Sequence, residues 1–133
     1  MFARAAALGA HPKWKGCGFL RTAAELANQP GHPARKVAAH HKKRFEAWLA
    51  QQIEAAGIDE AAALARRIAL LMDGAFSAML VHRDPSYAEA AGEAAALLVE
   101  AAQRKRVAAR GSAADGGQGP RPGTSAHPAR ART

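Results

Sequence analysis

Ile68-Ala69-Leu70-Leu71-Met72-Asp73-Gly74-Ala75-Phe76-Ser77-Ala78-Met79-Leu80-Val81 is the most apolar stretch of this chain. Wound as a helix it is apolar nearly all the way round, which predicts burial on most sides. In so short a chain, part of that cover is expected to come from a second subunit. The stretch falls well short of the ~20 residues that cross a bilayer, and Asp73 sits in its middle. A carboxylate placed there either serves chemistry or a ligand, or bonds a neighbouring helix or basic side chain. Gly74 costs about 1 kcal/mol of helix propensity, which predicts close contact with another backbone.

Outward from this stretch the punctuation is helical. Asp59 is the expected N-cap of a helix over Glu60–His82. Asp84-Pro85 opens a last helix over Pro85–Val107, along which Ala88, Ala91, Ala95, Leu98 and Ala102 make a small-residue stripe. Upstream, Pro33 sits at a first helical position, and a long helix runs to about Ala56 with Gly57 as its stop. Val37, His41, Phe45, Trp48, Leu49, Gln52, Ile53 and Ala56 form its predicted apolar face, with Lys42, Lys43, Glu46 and Glu54 pointing elsewhere. A helix over Phe19–Asn28 ends at Gln29-Pro30-Gly31, and Phe2–Leu8 forms a short helix closed by Gly9 and Pro12. No strand is predicted. The expected fold class is all-α, a bundle of about five helices.

Composition agrees. Of 133 residues, 49% are hydrophobic, most of them alanine, beside four Phe, two Trp and one Tyr. Alanine buries little area but is the best helix former, so close-packed helices are favoured over a sheet. A single cysteine excludes an internal disulfide and any multi-cysteine metal site. No signal-peptide core develops before Gly9 and His11, so a cytoplasmic protein without membrane spans is expected. The net charge of +8 is uneven: residues 1–102 carry +2 and residues 103–133 carry +6. Residues 110–133 lack large apolar side chains and read as a disordered basic tail after a folded unit over 1–109.

The order of these signals resembles a known family. Gly16-Cys17-Gly18-Phe19-Leu20, Ala23-Ala24-Glu25-Leu26 and His32-Pro33-Ala34-Arg35 are similar to the opening of the C-terminal domain of tetracycline-repressor (TetR) family regulators. The resemblance continues through Leu70-Leu71-Met72-Asp73-Gly74-Ala75 to the alanine-rich helix ending near Ala102. It implies an all-helical effector-binding and dimerisation domain of a transcriptional regulator, paired through its last two helices. Leu71, Ala75, Ala91, Ala95 and Leu98 are the expected homodimer contacts. The family's N-terminal helix-turn-helix has no counterpart in these residues, so a truncated regulator that cannot read an operator alone is expected. DNA contact is then left to a missing domain or, weakly, to the basic tail.

Individual residues carry less. Cys17, at a helix start beside Lys15, is a candidate redox thiol or a small packing residue. His40 and His41 are neighbours pointing about 100° apart and cannot readily share an ion, so no metal is expected. No catalytic motif and no cofactor signature is present, and no enzyme is expected. Trp14, Phe19, Phe45, Trp48, Met72, Phe76 and Met79, with His41 and Gln52 as polar handles, either line a pocket for a small-molecule effector or fill the core. Two alternatives stand beside the regulator: a helical dimerising interaction protein without ligand, and a weak, non-specific nucleic-acid binder using its tail.

Overall fold

The computed structural model describes residues 1–115. Among these it forms five helices and no strand: α1 (Phe2–Gly9), α2 (Gly18–Glu25), α3 (Pro33–Ala55), α4 (Ala61–His82) and α5 (Ser86–Asp115). The all-α bundle read from the sequence is the observed fold. α5 continues past the expected stop at Val107 and takes residues 110–115 into the helix. Alanine-rich sequence after Val107 favours that continuation. The remainder of the expected tail, 116–133, lies outside the described residues.

Local chemistry sets the helix ends. His32 is the N-cap of α3, its Nδ1 accepting the Ala34 N–H at 3.1 Å, and Pro33 follows in the first turn. At the other end Gly57 adopts φ 71°, and the Ile58 N–H donates back to the Ile53 carbonyl at 3.3 Å. This left-handed closure folds Ile58 into the core beside Ile53, as helix-ending motifs of this kind commonly do. The sharp reversal displaces the start of α4. Glu60 rather than Asp59 is its N-cap, in the left-handed region at φ 55°, with its carbonyl accepting from Ala63 and Leu64. Asp84 caps the last helix as its sequence position predicts, Oδ1 accepting the Ser86 N–H at 2.9 Å. That hydrogen bond, helped by the Ser86 hydroxyl and nearby His82, holds the Asp84 carboxyl below its ordinary pKa.

α4 is the middle of the bundle, with α3 on one side and α5 on the other. α1 lies across α5 and α4, and α2 packs on α3. Phe2 anchors α1: a side chain at Gly92 of α5 would meet Phe2 Cβ at 2.9 Å, so only glycine permits this approach. α4 buries Leu64, Ala65, Ile68, Met72, Ala75 and Met79, at alternating steps of mostly three and four. Its opposite face is open, Leu70 being 66% exposed. Cover on most sides of α4 is therefore not provided by the described residues.

α3 is rotated from its expected orientation. Leu49 and Ile53 are buried as expected, but Ala38 is buried as well, while Val37 and Trp48 are exposed. Lys42 and Glu46, expected to point away, face α4 and pair with Asp73 and Arg66 respectively. Asp73 thus bonds a basic side chain of a neighbouring helix. No helix among the described residues is long and apolar enough to cross a membrane.

Candidate functional site

The uncovered faces of α4 and α5 meet in an apolar groove of about 740 Å³. Leu71, Ala75, Ala91 and Leu98 lie at its base, where they also meet the core; Leu70, Leu97 and Tyr87 are the exposed large apolar residues along it. From α4, Arg67, Leu70, Leu71, Gly74 and Ala78 recur at helical spacing. Arg67 is the charged residue among the groove's lining, and it stands near one end. His82 and Tyr87 stack across the α4–α5 corner with ring centroids 5.0 Å apart, and Tyr87 lines the other end. Gly74 opens into the groove: a Cβ built there meets nothing within 4 Å. The close backbone contact expected at Gly74 is therefore not made among the described residues.

The expected dimer contacts divide under this geometry. Leu71 and Leu98 are half-buried along the groove. Ala75, Ala91 and Ala95 are buried inside the chain, where their small size lets α1 and α4 sit close against α5. Of the stripe on α5, Ala91 and Leu98 meet both the core and the groove, while Ala95 packs within the subunit. Leu70 and Leu97, on the open side of the helix pair, are not among the contacts expected from the sequence, whereas Gly74 beside them is. Their spacing, Leu70 to Gly74 to Ala78 on α4, was the available signal.

A second cleft, about 490 Å³, opens between the start of α1, the end of α3 and the middle of α5. Phe2, Leu49, Ile53, Ile68 and Val99 give it an apolar lining, while Gln52, Glu100 and Gln103 supply polar groups. Its size is within the ~300–1,000 Å³ of small-molecule sites.

The residues expected to line one pocket are gathered in three places. Met72 and Met79 fill the core between α1, α4 and α5, Met79 being only 1% exposed, and Trp14 and Phe76 pack against them with rings 6.1 Å apart. Phe19 stacks on His41 at 3.8 Å, fastening α2 to the outside of α3. Phe45 and Trp48 stack at 6.1 Å farther along α3, with Trp48 turned to solvent. Of the set, Gln52 borders the α1–α3–α5 cleft. For the residues of α3 its rotation explains the difference, because it carries His41 and Trp48 outward and brings Lys42 inward, while Leu49 is buried as expected.

Cys17 is half-buried at the N-cap of α2. His40 and His41 are both exposed, and among the described residues no three His, Cys, Asp or Glu side chains group closely enough to hold a metal. The fold and its grooves define an all-α protein with open apolar surface along α4 and α5. No family model, no curated protein and no solved structure matches the chain.

Proposed function

We propose that this chain works as a homodimer, the effector-binding and dimerisation half of a TetR-type transcriptional regulator. The observation that carries the pairing is the α4–α5 groove, with Leu70 and Leu97 more than three-fifths exposed beside an unfilled Gly74. Two neighbouring antiparallel helices make a self-complementary surface, the form a two-fold interface requires. A second copy would cover the apolar side chains, and its backbone would occupy the space beside Gly74. The helix pair is some 30 Å long, enough to supply an interface of ordinary size.

The effector is assigned to the α1–α3–α5 cleft. Its apolar walls suit a small molecule with a hydrocarbon or aromatic body, and Gln52, Gln103 and Glu100 suit a hydrogen-bonding end. The start of α1 forms one wall, so occupancy of the cleft bears directly on how α1 sits against α5. Sedimentation of the full chain tests the pairing: a dimer is expected at micromolar concentration, and a folded monomer there would overturn it. Thermal shift against a small-molecule library tests the cleft, because a ligand of the folded state raises Tm by mass action. A hit should lose its effect in Ala96→Trp, which builds into the cleft from its exposed rim.

A further inference from the structure

The outward side of α3 carries a feature unrelated to the grooves, and it stands whether or not the chain pairs. Lys36, His40, Arg44 and Trp48 follow one another at steps of four, a single ridge winding along the helix. All four are exposed, and so is Lys43 beside them. Each step is about 6 Å of helix rise, so the ridge spans about 18 Å. Trp48 is half-exposed, an unusual use of the chain's largest side chain, and its ring is backed by Phe45.

Positive charge dominates the part of the sequence that carries the ridge. Residues 1–45 contain nine Lys and Arg and one acidic residue, Glu25, whereas residues 46–102 contain nine acidic residues and three basic ones. The acids closest in sequence are already turned away: Glu46 faces Arg66 of α4, and Glu25 pairs with Arg21 of α2. Lys43 makes only a solvent-exposed contact with Glu46 at 3.8 Å. Arg35 and Lys42 are occupied, on the carbonyls of Leu26 and Ala27 and on Asp73. Lys36 and Arg44 form no ion pair among the described residues.

We propose that this ridge binds single-stranded nucleic acid, with backbone phosphates against Lys36, His40, Lys43 and Arg44 and a base stacked on Trp48. A row of cations at regular spacing tracks a phosphate backbone, and an exposed indole ring offers a stacking face that tolerates any base. An anionic membrane is the other polyanion such a charge pattern attracts. Interfacial insertion needs a continuous apolar face, and here Val37 and Trp48 are separated by eleven helix positions with cations between them.

The test is binding of fluorescein-labelled oligo(dT) of about 20 nucleotides to the full chain at low salt, followed by anisotropy and by tryptophan emission. Binding should quench tryptophan emission and weaken steeply with salt. Lys36→Glu with Arg44→Glu should weaken it at least about tenfold, and Trp48→Ala about fivefold or more with loss of the quenching. All three positions are exposed, so thermal melts of the variants should match the parent and separate lost binding from lost folding. Replacing Arg121, Arg130 and Arg132 by Gln should leave most of the affinity. The proposal is overturned if those tail substitutions abolish binding while the Lys36/Arg44 variant binds normally. It is equally overturned by tighter binding to phosphatidylserine vesicles than to the oligonucleotide, or by the absence of any oligonucleotide binding.

Discussion

Lys42 of α3 meets Asp73 of α4 in a partly buried ion pair, placed midway along the most apolar helix of the chain. About a quarter of the lysine side chain and a third of the aspartate remain open to water, so neither charge is fully desolvated. Together with Glu46–Arg66, it sets the register between the two antiparallel helices. Asp73→Ala alone should cost about 1–2 kcal/mol, because it leaves the Lys42 ammonium against an apolar surface. Lys42→Met combined with Asp73→Leu should restore most of that loss. A double-mutant cycle from urea denaturation reads the coupling; additive costs would show that the pair contributes no interaction of its own.

Two glycines in helices should respond to alanine in opposite senses. At Gly92 the new Cβ falls 2.9 Å from Phe2 Cβ, so α1 has to shift, and Gly92→Ala should destabilise by about 1–2 kcal/mol despite its better helix propensity. At Gly74 the space is open, and Gly74→Ala should stabilise the isolated subunit by up to about 1 kcal/mol. Where a partner backbone lies against Gly74, the same change should weaken the dimer. Chemical denaturation at low concentration reads the first effect, and sedimentation at high concentration reads the second.

Asp84 supplies a pH dependence of known sign. The Ser86 N–H lowers its pKa in the folded chain below the ordinary 3.8, so the capping contribution is complete above the unfolded value. It is lost as pH falls through the lowered folded value. Asp84→Ala should therefore melt below the parent at pH 6, with the gap closing as the pH is taken down below 4. A gap that widened on acidification would contradict the cap.

The helical class was legible because Pro33, Gly57, Asp84 and the long alanine runs act locally, each through its own backbone. The orientation of α3 was not. Its large side chains occupy well over half of the helix circumference, and size alone points to Trp48 and Val37 as core. The structure instead buries Ala38 and leaves Trp48 half-exposed, since α4 approaches closely along a line of small and paired charged residues. Alanine, which carries no amphipathic signal strong enough to set a face, hides such a line. The same ambiguity held for Ala91 and Ala95, whose stripe fits an interface between subunits as well as one inside a subunit. Contacts with α1 decide between them, and α1 is too distant in sequence for periodicity to reveal it.

This distinction makes the pairing proposal testable by position. Leu97 is 63% exposed beside the α4–α5 groove, and a carboxylate there is solvated in the separate subunit. Leu97→Asp should therefore leave the melting of the isolated chain nearly unchanged. In a two-fold pair it would set two like charges close together in an apolar interface, so the dimer should dissociate by at least about tenfold more readily. Ala95 is 6% exposed, packed among Ile53, Ile68 and Val99. Ala95→Asp buries an unpaired carboxylate and should unfold the subunit, lowering Tm sharply at every concentration. Sedimentation and circular dichroism on the two variants separate the roles. A folded Leu97→Asp monomer beside a poorly folded Ala95→Asp chain places the interface on the open groove, and a Leu97→Asp variant that pairs as tightly as the parent removes α5 from it.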